Sequence, residues 1–288
     1  MIVGMPLPIT SPRDIAADPR DWADLQRAVA LLEAPTLTAR MANLVGAPLE
    51  FVVKRLPDSV SRRLHGAVEA ALHKAAQTAL WSMGNTPGRL ASTRWHKLAA
   101  ATSGAVGGAF GFTALLVELP VSTTIMMRAV ADVARSEGFD LADMATRQAC
   151  LEVFALGGNS GSDDASETGY YLARGFTADV VRHLSAELAG RVATGQGLTL
   201  GVAPKEAGKL LAKLVERVAT RFGVVVGEKF AAQAVPVIGA AAGAALNTMF
   251  TDYYQDVARG HFIVRRLEKK YGERSVRAAY DQVAGKGG

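Results

Sequence analysis

Cysteine is almost absent: Cys150 is the one thiol in 288 residues. No intramolecular disulfide can form, which excludes a disulfide-stapled scaffold and favours a reducing compartment. Aromatic residues make up only 7% and charged residues 20%, so alanine and glycine carry much of the apolar share. A core of that composition brings helix backbones close together instead of spacing them with large side chains. The five histidines, His65, His73, His96, His183 and His261, show no paired spacing, and there is no HExxH; this excludes the usual helical zinc signature. No P-loop is present. Gly195-Gln196-Gly197 followed by Gly201 misses GxGxxG by one position, and Gly158-Asn159-Ser160-Gly161 is followed by Ser162 where a nucleophile elbow needs glycine. No motif indicates a cofactor. Met1 to Pro12 has neither a basic start nor a sustained apolar run, so a secretory signal peptide is not expected. Charge of one sign is not concentrated. The net charge of +5 is diffuse and not interleaved with aromatics, which argues against nucleic acid and is compatible with an anionic membrane surface.

What is present is helical. Hydrophobic residues reach 49%, enough for a buried core and too many for a disordered chain. Asp18-Pro19 caps a helix over Trp22 to Glu33. Pro35-Thr36 separates it from a helix over Leu37 to Leu56, and Pro57-Asp58-Ser59 opens another over Val60 to Met83. Gly84 to Gly88 reads as a loop. Asp140 and Asp143 precede a helix running to Leu156, stopped by Gly157-Gly158. A long helix is expected over Asp163 to Arg191, and Thr194 to Pro204 is a glycine-rich hinge. Pro204 opens an amphipathic helix whose apolar stripe includes Leu214, Val215, Val218, Phe222 and Val225. Arg259, His261, Arg265, Arg266, Lys269 and Lys270 mark a basic helical end, read as a solvated face or a site for anionic head groups. The short run Val224-Val225-Val226 sits inside helical spacing, and no strand pattern emerges.

Two segments stand out. Leu98 to Val117 and Ala231 to Phe250 are each 20 residues without a charge. Each holds a pair of glycines four apart, Gly107 with Gly111 and Gly239 with Gly243, which lets a neighbouring backbone approach closely. They are expected to be central buried helices of a bundle, with reversible membrane association or a membrane-spanning pair as the alternatives. Lipid or another apolar small molecule could occupy a pocket between them. Glu118-Leu119-Pro120 should break or kink the first segment. Beyond it a helix over Val121 to Ser136 places Arg128 and Asp132 one turn apart, as an ion pair or, with Glu118, as a polar ligand site. Asn247 in the second segment and His261 with Arg265 complete the candidate ligand-binding residues. Asp163, Asp164 and Glu167, with Glu152 one helix earlier, form either a helix cap or a divalent-cation site. Cys150 sits among apolar neighbours and reads as a packed, inert thiol.

Several strings are similar to the EcsC protein family. They are Val117-Glu118-Leu119-Pro120-Val121 with Arg128 and Asp132, Leu151 to Gly158 with Asp163-Asp164 and Gly169-Tyr170-Tyr171, Gln233 to Gly239 with Gly243 and Asn247, and His261-Phe262 with Arg265. The resemblance spans Leu98 to Tyr271. It implies a bacterial protein, cytoplasmic or peripheral to the inner face of the cytoplasmic membrane, in a family named for a gene beside an ABC transporter. It brings no catalytic residues with it. The expectation is therefore an all-α, multi-helix bundle with residues 1–90 as an N-terminal helical region and 91–284 as the EcsC-like helical domain. Its expected role is non-enzymatic: association with the membrane face or binding of an apolar or lipid ligand, with a transporter reached through the helix at Pro204 as a further partner. The alternative is a metal-dependent hydrolase using Asp163, Asp164 and Glu167.

Overall fold

The computed structural model describes residues 15–45, 57–82, 87–88, 96, 111–157, 169–178, 182, 204–233 and 240–285. Among these every regular element is helical, as an all-α, multi-helix bundle requires. After a 3-10 turn at Ile15–Ala17 come α1 (Pro19–Leu32), α2 (Leu37–Val45), α3 (Asp58–Ser82), α4 (Gly111–Ser136) and α5 (Met144–Ala155). They are followed by α6 (169–178), α7 (Pro204–Gln233), α8 (Ala240–Tyr271) and α9 (Glu273–Val283).

The caps are those the sequence signals. Asp18 Oδ1 accepts from the amides of Arg20 and Asp21, with Pro19 in the first turn. Asp143 caps α5 through the Ala145 amide, while Asp140 takes the Ala142 amide in the turn before it. Gly138, at φ +88°, ends α4, and the Gly138 and Phe139 amides return to the carbonyls of Arg135 and Ala134. A Cβ would be strained in that backbone conformation, which is why glycine stands there.

The expected break at Pro120 does not occur: α4 runs from Gly111 through Pro120 to Ser136 without interruption. Leu119 is buried on the packed side, Val121 is exposed on the other, and the hydroxyls of Ser122 and Thr124 donate back to the carbonyls of Leu119 and Pro120. Packing against α3 and α8 outweighs the local cost of a proline.

The buried residues form two groups. The larger joins α2, α3, α4, α5, α7 and the first half of α8, with Phe154, Phe222 and Tyr254 at its centre. The smaller joins α1, Tyr170 and Tyr171 of α6, the end of α8, and α9. Helix α8 belongs to both, and α1 lies along it. Helices from the first 90 residues thus share cores with those that follow. Of the packing glycines read from the sequence, Gly107 and Gly239 lie outside the described residues, and Gly111 and Gly243 are placed only as helical backbone. Among the described residues, close approaches are made at Gly260 and Gly157. A Cβ on Gly260 would stand 2.6 Å from Leu32 Cγ and 3.1 Å from the Ala28 carbonyl, so α1 and α8 touch backbone to backbone. One on Gly157 would stand 2.9 Å from Tyr254 Cζ. No helix among the described residues is long and apolar enough to cross a membrane.

Candidate functional site

Three features hold the chemistry. The first is a buried polar cluster where α4, α7 and α8 meet. Glu118 and Asn247 both belong to the expected set, and the fold brings them together: Asn247 Nδ2 donates to Glu118 Oε1 at 2.5 Å. Lys229 of α7 completes the cluster, donating to Glu118 Oε1 at 3.3 Å and to Asn247 Oδ1. Lys229 and Asn247 are each 2% exposed and Glu118 is 7%. Burial pushes the Lys229 ammonium below its usual range, and Glu118 opposes that by attraction. Sequence reasoning passed over Lys229, although a signal was there. It falls on the apolar stripe of α7, four residues after Val225 and three before Ala232, where a charge must find a partner. Asp132 accepts from Arg135 one turn on and lies 3.5 Å from His96 Nε2. It stands apart from the Glu118 cluster.

The second feature lies further along α8. His261, fully buried, shares a 3.0 Å hydrogen bond between Nδ1 and the Tyr170 hydroxyl. Its Nε2 is 3.7 Å from Glu152 Oε2, which accepts from Arg265 Nη1 at 3.0 Å. Arg174 beside them forms a two-pronged pair with Glu268 at 2.6 and 2.9 Å. Burial holds His261 well below its ordinary pKa, and Arg265 and Arg174 add to that by repulsion. Burial raises Glu152, against the pull of Arg265 and Arg174. The basic end of α8 is therefore not a solvated face. Arg265 turns inward, and outside it Arg266 meets Asp21, Asp24 and Glu137 while Lys270 meets Asp18 and Asp21. The carboxylates that claim these cations come from α1 and its cap, from Glu137 just past α4, and from α5, distant in sequence. Glu152, read with the acidic loop, belongs here.

The third feature is open. A groove of about 440 Å³ runs between α3 and α7. Leu64 is its buried floor, Gly223 and Gly227 keep the α7 wall low, and Ser61, Arg62, His65 and Thr220 are exposed along it. Val224, 52% exposed, stands on its rim. A smaller cavity of about 150 Å³ lies between the α1–α2 turn, α6 and α8, with Tyr170 in its wall.

Asp163, Asp164 and Glu167 lie outside the described residues, and among the described ones no group of three His, Cys, Asp or Glu side chains is placed to hold a metal. Cys150 is packed as expected: fully buried, with burial pushing its thiol up to about 12. In α7, the helix at Pro204 through which a transporter was expected to be reached, the apolar stripe is spent inside the bundle on Leu214, Val215, Val218, Phe222 and Val225.

The family model described as the EcsC protein family matches residues 21–267. The match begins in α1, well before the segment whose strings are similar to that family in the sequence, in keeping with the packing of α1 along α8. No curated protein and no solved structure matches the chain.

Proposed function

The chain belongs to the EcsC protein family, and from that premise we propose that it is a non-catalytic helical protein that binds a lipid or similar amphiphile at the cytoplasmic face of a membrane. The observation that carries this reading is the groove between α3 and α7. It joins an apolar floor to a cationic edge at Arg62, an imidazole at His65 and hydroxyls at Ser61 and Thr220, a pairing of surfaces that suits an acyl chain with an anionic head. The ionisable clusters support a structural role instead of a catalytic one. Both are buried, and their members are engaged with one another, whereas a general acid or base must reach a substrate. Attachment by this surface needs no helix to enter the bilayer. A transporter partner reached through α7 would meet its exposed residues Lys213, Glu216 and Arg217, since the apolar stripe faces inward.

The test is co-sedimentation of the full chain with phosphatidylglycerol vesicles and with phosphatidylcholine vesicles. Preference for the anionic vesicles is expected, with release at high salt because surface attraction is screened. A Cβ on Gly223 would meet only His65 Nδ1, at 3.8 Å, so Gly223→Phe can fold and fill the groove; its vesicle binding should fall about tenfold, the loss of roughly 1.4 kcal/mol of contact. Equal binding of wild type and Gly223→Phe, or extraction by detergent alone, would overturn the reading.

A further inference from the structure

On the flank of α7 away from α3, two guanidinium groups share one ring. Arg217 lies 3.9 Å and Arg221 4.9 Å from the centroid of Phe176 on α6. Their other contacts are long hydrogen bonds to backbone carbonyls: Arg217 Nε to Phe176 at 3.4 Å, and Arg221 Nη1 to Ala155 and Ala173 at 3.4 and 3.5 Å. Neither has a carboxylate within ion-pair distance among the described residues. Glu216, the nearest acid in sequence, is turned about 100° around the helix from Arg217. The cations of the second half of α8 behave differently: Arg259, Arg266 and Lys270 all meet carboxylates.

Two like charges one turn apart repel, and burial of Arg221 sharpens the cost. The ring holds both planes in place and leaves most of their ten N–H donors without a partner among the described residues. A carboxylate, with two oxygens in one plane, satisfies one fork. A phosphate, with oxygens in a tetrahedron, accepts from both. Along α7, Arg217, Arg221 and Val224 fall on one face by the spacing of four and three residues, so the arginines adjoin the exposed Val224 at the groove's rim.

We propose that Arg217 and Arg221, stacked on Phe176, form the binding site for the phosphate of an anionic membrane lipid. The inference rests on the lipid-binding reading for the chain that follows the head group, and on the arginine pair alone for the phosphate.

The experiment compares full-length wild type, the double variant Arg217→Gln/Arg221→Gln and the double variant Arg217→Lys/Arg221→Lys. The probes are phosphatidylcholine vesicles doped with phosphatidylglycerol, the same vesicles doped with oleate to equal surface charge, and free glycerol 3-phosphate. Thermal melts identify folded variants, and these exposed and half-exposed positions should leave them unchanged. Wild type is expected to prefer the phosphatidylglycerol vesicles over the oleate vesicles. The glutamine variant should lose about tenfold in affinity for them, and the lysine variant most of that amount, because an ammonium lacks the fork. Equal binding of the lysine variant and wild type, or equal binding of the two kinds of vesicle, would overturn the phosphate site. Binding of glycerol 3-phosphate with no binding to vesicles would overturn the lipid. If Gly223→Phe weakens vesicle binding and the glutamine variant does not, the groove stands and the arginine site falls; the reverse pattern retains the arginine site and removes the groove.

Discussion

Gly260 shows how much one hydrogen atom in place of a methyl group can govern. Helix α1 lies so close to α8 there that a side chain would press on Leu32 and on the Ala28 carbonyl. Gly260→Ala is expected to cost about 1–3 kcal/mol, the usual range for overpacking. In a Leu32→Ala background that cost should shrink, because the nearest obstructing atom is gone; urea unfolding of the four proteins measures the coupling. Additive losses would show that the contact is not the cause. This glycine was not legible in the sequence. It stands among Arg259, His261 and Asp256, not in a small-residue stripe, and nothing local signals that another helix will pass. Cys150 is the opposite case: its apolar neighbours announce a packed thiol, and the structure buries it.

At the scale of the element, α8 decides the arrangement. Its first half supplies Asn247 to the Lys229 cluster and its second half supplies His261 and Arg265 to Glu152. The pH dependence of stability belongs to this second half. His261 is held neutral, well below the value of about 6.5 it has in an unfolded chain. Below that pH the unfolded chain binds a proton that the folded one refuses, so stability falls as pH falls. Tyr170, Glu152, Arg265, Arg174 and Glu268 face or surround the ring. Glu152 acts with the opposite sign, since a carboxyl raised by burial favours the folded state on acidification until the unfolded chain also protonates. Between pH 6.5 and the carboxylate range, wild type should lose up to about 1.4 kcal/mol per pH unit through His261, and His261→Gln should flatten that slope. An unchanged slope in denaturant titrations would refute the assignment. Helix boundaries were largely readable from prolines, glycines and capping aspartates. The course of α4 through Pro120 was not, because the penalty is local and the packing that outweighs it is not.

Across the whole molecule, the Glu118–Lys229–Asn247 cluster ties α4 to α7 and α8, across separations of 111 and 129 residues. Removing one charge strands the other in an apolar interior, so Lys229→Met should destabilise by about 3–5 kcal/mol, while Glu118→Leu/Lys229→Met should recover most of it. Urea midpoints decide this, and a double variant as unstable as Lys229→Met would sink it. The residues themselves determined the all-helical class, the family, most helix starts and stops, and that no disulfide can form within the chain, because hydrophobic spacing, caps and composition act over a few residues. Partnerships were decided only in three dimensions. Asn247 and Glu118 were recognised as polar positions in apolar stretches, yet that they meet, and that Lys229 joins them, depends on how α4, α7 and α8 cross. The same holds for the matched charges between α1 and α8 and for the two arginines over Phe176. Whether a charge is satisfied depends on which helix lies opposite, and that is settled by packing, not by order along the chain.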